Sequence, residues 1–329
     1  MVDLVVIGSN SFSGAHFVRY CLGQGMDVVG ISRSVEPIEA FLPYRWREYS
    51  GSFKFYAKDL NKDLADIVQI IQSHKPSYVV NFAAQSMVAQ SWQTPQQWFN
   101  TNTLSPIMLH DYLRQMDFLD RFVQISTPEV YGSCEGVVIE NRHYLPSTPY
   151  AVSKAAVDMS LQCFYQSYDF PVLYTRAANV YGEGQQLYRI IPRSIMSIKL
   201  GEKLPLHGGG VSERNFIHID DVVDATYKVM ESGKVGDIYH ISSDKVVSIR
   251  HLVEMICTRM GVDFSDAVEV AEERLGKDAL YHLSSDKLRN TLNWQPHIDL
   301  EQGVGRVVAW AEHYFEQLKY EPLDYQHKP

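Results

Sequence analysis

Two strings, STPEVYG at residues 126–132 and YAVSK at 150–154, place a threonine, a glutamate, a tyrosine and a lysine within one short stretch of chain. A tyrosine and a lysine four residues apart share one face of a helix. An ammonium near a phenol favours phenolate, so Tyr150, with Lys154 as its activator, can take the proton of a substrate hydroxyl as hydride leaves the same carbon. Thr127 can hydrogen-bond that hydroxyl and stabilise the oxyanion that develops. Glu129 adds a carboxylate able to remove a proton beside a newly formed ketone. Pro128 occupies the position between Thr127 and Glu129, where a proton-donating side chain would be expected.

Such chemistry needs a hydride acceptor, and the surrounding pattern supplies a place for one. Short β-branched runs at 2–8, 27–32, 53–60, 78–84 and 121–127 alternate with helical patterns, clearest at 64–74 and 105–116. That alternation predicts parallel βαβ units in an α/β chain with a Rossmann-type doubly wound sheet. After about residue 180 the regularity decays into segments such as GEGQQLYRIIPRS and LHGGGVSERNF, read as loops and short helices. The expected organisation is a dinucleotide-binding domain over 1–180 and a smaller substrate-binding lobe over 181–329, with some segments of the latter returning to the first.

The first strand runs into GSNSFSG, whose Gly8 and Gly14 bracket a tight turn before a helix expected to begin near Ala15. Glycines there allow close approach of a pyrophosphate, and the helix N-terminus favours its negative charge. The second strand ends in Ser32 and Arg33, where an NAD site would normally place an acidic residue. An arginine and a hydroxyl suit a 2′-phosphate, so NADP is favoured, with NAD the alternative. Asp59 and Leu60 follow the third strand and are placed to meet the adenine, although Asp59 equally suits a loop cap.

Composition narrows the partners. A formal charge of −9 in 329 residues offers no general attraction to nucleic acid or to an anionic membrane, so a small ligand is expected. Cys21, Cys134, Cys163 and Cys257 lie far apart without metal or disulfide spacing, which fits reduced thiols and a cytoplasmic setting. No apolar run is long enough for a signal peptide or membrane span. Twelve histidines without HExxH or paired spacing argue against a catalytic metal.

GSNSFSG, NFAAQS, STPEVYG, YAVSK, RAANVYG and RNFIHIDDV, in this order over nearly the whole chain, resemble the extended short-chain dehydrogenase/reductase superfamily, and within it the nucleotide-sugar 4,6-dehydratases. The mark of that branch is a glutamate directly before VYG, the place of Glu129. The resemblance implies oxidation at the sugar C4 through Tyr150, removal of the C5 proton by Glu129, loss of water from C6 and return of hydride to C6. It also implies cofactor contacts from Gly8, Asn10, Ser11, Phe12, Gly14, Ser32, Arg33, Asp59, Leu60, Ala83, Ala84, Gln85, Asn102, Tyr150 and Lys154. Substrate contacts are implied for Ser86, Glu129, Asn179, Arg189, Arg214 and Arg274, with His207 near the nucleobase.

Three departures stand out. The dTDP-glucose enzymes carry an aspartate at the place of Pro128, whereas the GDP-mannose enzymes also lack it, which leaves Glu129 as both base and acid. Met87 replaces a common histidine, while Gln85, Ser86, Ser32 and Arg33 resemble the GDP-mannose group. RLGKDALY keeps only Arg274, Gly276, Asp278 and Tyr281 of a nucleotide-binding stretch. A 4-epimerase or a decarboxylase would use the same Tyr and Lys, and a redox-silent binding protein could retain the fold. Helices near 95–116 and 150–168 carry more large apolar groups than one core stripe needs, predicting a homodimer built on a four-helix contact.

Overall fold

The computed structural model describes residues 2–134, 136–272 and 282–328. In chain order the first elements are β1 (Leu4–Ile7), α1 (Phe12–Gly23), β2 (Val28–Ser32), β3 (Phe53–Ala57), α2 (Leu64–His74) and β4 (Tyr78–Asn81). They are followed by α3 (Pro95–Phe99), α4 (Ser105–Leu113), β5 (Arg121–Ile125) and α5 (Pro149–Tyr168). Seven parallel strands make one sheet in the order Ile238–Ile241, Val172–Ala177, β5, β4, β1, β2, β3. The order turns back between β1 and β4, so the carboxyl ends of those strands form the crevice where doubly wound sheets bind ligands.

Period-two alternation divides the apolar side chains of β1 between two layers. Leu4 and Val6 pack with Phe17 and Val18 of α1 and with Val222 and Val229 of the helix Ile219–Ser232. Val5 and Ile7 pack on the other face with Ile67 and Ile71 of α2, Leu109 of α4, and Val157 and Leu161 of α5. Burial on both faces explains why these strands read as unbroken hydrophobic runs.

Several sequence expectations are corrected. Helix α1 begins at Phe12 rather than near Ala15, because the extended Ser11 caps it, its Oγ accepting from the Gly14 amide at 3.2 Å. The strand runs at 78–84 and 121–127 stop at Asn81 and Ile125, and the one at 53–60 stops at Ala57. LHGGGVSERNF contains strand rather than only loop: Glu213–His218 pairs in parallel with Asn179–Tyr181 and antiparallel with Val246–Ser248. GEGQQLYRIIPRS opens the eleven-residue helix Ile190–Leu200. That helix packs with Ile249–Met260 and Leu300–His313 around Ile191, Ile195, Ile256 and Val307.

A charged seam joins these parts. Arg306 donates to Glu183 and to Asp220 at 2.7 Å each, Arg19 of α1 donates to Asp220, and His218 lies 3.1 Å from Glu183. Burial alone would raise the Glu183 carboxyl, but His218 and Arg306 hold it down at about 2. All four cysteines are unpaired, and no described helix is long and apolar enough to cross a membrane.

Candidate active site

Proline and threonine set the catalytic turn. After β5, Thr127 is extended and its Oγ1 accepts from the Glu129 amide at 3.3 Å, starting the 3₁₀ turn Pro128–Tyr131. Pro128 is the first residue of that turn, where a fixed φ is an advantage and a missing N–H costs nothing. Its presence is thus accounted for by backbone geometry, with Glu129 presented one residue later. Gly132 ends the turn at φ +70°, and a Cβ there would meet the Leu145 carbonyl oxygen at 2.0 Å. Only glycine fits this close crossing.

Helix α5 brings in the second half. Thr148 caps it by accepting from the Ala151 amide at 3.1 Å, and Pro149 occupies its first position. Tyr150 and Lys154 are consequently one turn apart, 8% and 3% exposed. The Thr127 hydroxyl and the charges of Glu129 and Arg189 all act on the Tyr150 phenol, so the four groups converge beyond the end of β5. Burial, assisted by Glu129, raises the phenol; Thr127 and Arg189 oppose that rise. Lys154 donates to the Ile125 carbonyl at 2.7 Å, and burial lowers its ammonium to about 8 against the upward pull of Asp158. Help to the phenolate therefore comes from Thr127 and Arg189, while Lys154, the activator anticipated in the sequence, donates to the Ile125 carbonyl.

Beneath these groups lies a layer that sequence reasoning missed. Ser126 Oγ donates to Asp158 Oδ2 at 2.5 Å, and Arg176 donates to the same oxygen at 2.9 Å, with Arg176 and Asp158 both fully buried. The Arg176 guanidinium lies 4.6 Å from the Tyr131 ring centre and 5.3 Å from that of Tyr144. Ser126, which opens the STPEVYG string, thus points into the floor. Asp158 follows Lys154 by four residues, a spacing that marks it as a neighbour on the same helix face. Arg176 carries no comparable local signal.

The cofactor groove is assembled by contacts among the predicted residues. Gly8 has φ +83°, and a Cβ on it would meet the Ala83 amide nitrogen at 2.6 Å; one on Gly14 would meet the Gly8 oxygen at 2.1 Å. Phe12 begins α1 directly above this turn, and with the Gly14 amide taken by Ser11 the Phe12 and Ser13 amides are those placed for an anion. Asn10 donates its amide to Ser32 Oγ at 3.1 Å and its side chain to the Ser34 carbonyl at 3.0 Å. Asn102 accepts from the Gln85 amide at 2.8 Å and donates to the Gln85 carbonyl at 3.0 Å and to Ser153 at 2.9 Å. It therefore braces the β4 loop against α5. Asp59 receives the Asn61 amide at 2.9 Å, the loop-cap alternative, and Leu60 is buried with Ile31 and Ile67 in the core. Arg33 is exposed at the rim, as are Ala84 and Ser86. This cradle of glycines, helix amides and Lys154 fits a nicotinamide dinucleotide. Among the described residues no group of His, Cys, Asp and Glu is arranged to hold a metal ion.

The substrate side is more dispersed. Arg189 precedes the helix Ile190–Leu200 and lies over the Tyr188 ring at 5.4 Å. Asn179 is exposed and donates to the Asn215 carbonyl at 3.1 Å. Arg214 projects from the strand Glu213–His218, one of its nitrogens donating to the Glu213 carbonyl at 2.7 Å. His207, at the end of the strand Leu204–His207, bonds the Glu272 carbonyl at 2.8 Å. Arg274, with Gly276, Asp278 and Tyr281, lies outside the described residues.

Residues 5–307 match the family described as GDP-mannose 4,6 dehydratase. The chain belongs to that family. It is a member of the nucleotide-sugar 4,6-dehydratase branch of the extended short-chain dehydrogenases, lyases that work with a nicotinamide cofactor. The dTDP-glucose 4,6-dehydratase of Haemophilus influenzae is 30% identical, over 94% of this chain and 98% of its own. DesIV of Streptomyces venezuelae, a dTDP-glucose 4,6-dehydratase solved with NAD bound, is 28% identical with a TM-score of 0.86, covering 97% of this chain and 98% of that one. A UDP-glucose 4-epimerase of Thermotoga maritima also has a TM-score of 0.86, at 24% identity and covering 95% and 99%. The backbone is therefore shared by dehydratase and epimerase, and what separates these 4,6-dehydratases must be sought in side chains.

Proposed function

We propose that this 4,6-dehydratase converts a nucleoside-diphosphate hexose to its 4-keto-6-deoxy derivative with Tyr150, Thr127, Glu129 and Lys154 as the working groups. The observation that carries this assignment is the meeting of Glu129 and Thr127 at the Tyr150 phenol. Tyr150 takes the C4 hydroxyl proton, and Thr127 steadies the oxygen as its charge grows. A bound nicotinamide dinucleotide would supply the hydride chemistry, with C4 giving up a hydride and C6 receiving it back. Glu129 removes the C5 proton, acidified by the C4 ketone, and passes it to the departing C6 hydroxyl, which leaves as water. After C6 is reduced, C5 regains a proton from solvent through Glu129, and Tyr150 yields its proton to solvent. With Pro128 beside it, the same carboxyl serves as base and then acid.

Arg189 and Arg214 are proposed to neutralise the sugar diphosphate, with Asn179 and Ser86 beside the sugar and His207 toward the base. Residues 181–329 would supply most of this lobe, while the helix Ile219–Ser232 and strand Ile238–Ile241 return to the dinucleotide-binding part over 1–180. NADP is proposed over NAD through Ser32 and Arg33, because no carboxylate ends β2; Ser32 Oγ accepts from the Asn10 amide and its O–H can still donate to a phosphate. A homodimer across α4 and α5 is supported by Met108, Tyr112, Met159 and Tyr168, which are 48–55% exposed. Light scattering of the wild type and of Met159→Glu tests it: a dimer that the variant splits is expected, and a wild-type monomer would overturn it.

Mass spectrometry of dTDP-, UDP-, CDP- and GDP-hexoses after incubation tests the reaction. Loss of one water from one of them is expected; an isomer of unchanged mass, release of carbon dioxide, or cofactor binding without turnover would overturn the reading. Glu129→Gln should retain C4 oxidation, seen as reduced cofactor, while water loss falls by about 10²–10⁴-fold. Equal loss of both steps would remove Glu129 from its role.

A further inference from the structure

The segment after the helix Phe315–Leu318 crosses from one side of the cleft to the other. On the substrate side, Arg193 donates to Asp324 at 2.8 Å and to the Leu323 carbonyl at 3.3 Å, while Tyr325 packs edge-on against Tyr188 with ring centres 5.2 Å apart. On the cofactor side, His327 stacks on Trp98, ring centres 5.2 Å apart and planes within 9°, and bonds Gln97. The Lys328 carbonyl oxygen then accepts from two side chains, Arg33 at 3.0 Å and Gln85 at 2.8 Å.

Those last two contacts locate the segment. Arg33 follows β2 and Gln85 follows β4, and β1 lies between these strands in the sheet. Neighbouring strands are about 4.8 Å apart, so β2 and β4 are separated by about 10 Å. One oxygen reached from both sides lies between the loops that follow β2 and β4, on the carboxyl side of the sheet to which the Gly8–Gly14 turn also belongs. Tyr325, meanwhile, feels the charges of both Arg33 and Arg189, the proposed cofactor and substrate arginines.

We propose that residues 323–328 form part of the cofactor site, as a strap that closes over the bound dinucleotide and slows its release. The proposal rests on the reading of the groove as a nicotinamide dinucleotide site. It suits a reaction that takes hydride from the substrate and gives it back within one turnover, for which the nucleotide need not leave. The strap has no helix or strand of its own. It is held by side-chain contacts that can open to admit the nucleotide and re-form above it.

The test is release of NADH and NADPH from the purified protein, followed by nucleotide fluorescence after adding excess oxidised nucleotide. Two variants serve: one ending at Leu323, and the full-length Tyr325→Ala/His327→Ala. Both should release the nucleotide about tenfold faster or more, with a smaller change in association rate. In the wild type, amide hydrogen exchange over 323–328 should slow when nucleotide is added. Unchanged release rates, or faster association with unchanged release, would overturn the strap, the second by making the segment an obstacle to entry. Faster exchange on nucleotide addition would overturn it too. A wild-type protein that binds neither nucleotide would overturn the cofactor reading itself, and the strap with it.

Discussion

The floor and the rim of the site are built on opposite terms. Below the catalytic turn, Asp158 and Arg176 form an ion pair with no exposure, tied to Ser126 and flanked by Tyr131 and Tyr144. Burial disfavours the Arg176 cation, yet Asp158 and the two phenols outweigh it and raise its pKa. At the rim, Arg33 is exposed and meets a backbone carbonyl. A buried pair is expensive to form and more expensive to half-break, so it fixes geometry; an exposed contact contributes little and can open and close. The difference separates two tasks, holding Thr127 and Lys154 in register and letting ligands pass.

The largest effect should come from breaking the floor. Arg176→Met leaves the Asp158 carboxylate buried without its cation and should cost about 3–5 kcal/mol in chemical denaturation; a loss below about 1 kcal/mol would mean that the pair does not organise this layer. Ser126→Ala is milder, removing one charge-assisted bond from an aspartate whose Oδ1 has no partner. Its expected cost is about 1–3 kcal/mol, with kcat reduced more than KM changes, because Thr127 loses its support from below.

The third effect follows pH. Lys154 is held at about 8 by burial, against an unfolded value of about 10.4. Below pH 8 the amine is charged in both states and folding bears the full desolvation cost. Between those values the unfolded chain binds the additional proton, so stability should rise with pH, by at most about 1.4 kcal/mol per unit from this group. Urea midpoints measured from pH 7.5 to 10.5 should show that rise in the wild type relative to Lys154→Met; parallel profiles would place the lysine in a wetter setting. The smallest effect belongs to the rim: Arg33→Ala should shift stability by about 0.5 kcal/mol or less, while its affinity for NADPH falls relative to NADH. An unchanged ratio of the two affinities would remove Arg33 as a selector.

The sequence made the sheet legible as far as β5 because β1, β2, β4 and β5 are largely buried apolar runs, while the half-exposed edge strand β3 still carries an aromatic run, FKFYA. Helix α2 was read at 64–74, the bounds it has. The seventh strand, Ile238–Ile241, escaped because it is short and pairs with Val172–Ala177, some sixty residues earlier, through contacts that no local period records. Tyr150, Lys154, Thr127 and Glu129 stood out as candidates because their types are chemically expressive and their spacing is local. Arg176 did not, since its partner Asp158 lies on a different element and each alone reads as an ordinary charge. Leu60 was assigned to the adenine from its place after β3, whereas its apolar side chain turns inward to Ile31 and Ile67. The strap was illegible for a related reason: DYQHK has neither helical nor strand periodicity, and its meaning arises from what it touches.

Trp98 gives that segment an optical signature. Its indole has no exposed surface, and an imidazole lies parallel to it. Of the five tryptophans, at 46, 92, 98, 294 and 310, Trp98 is the one on which His327 stacks. An emission component that brightens or shifts to the red when His327 lifts away would let the opening be timed without a label. The protein would then report, in its own fluorescence, the interval during which its nucleotide is free to leave.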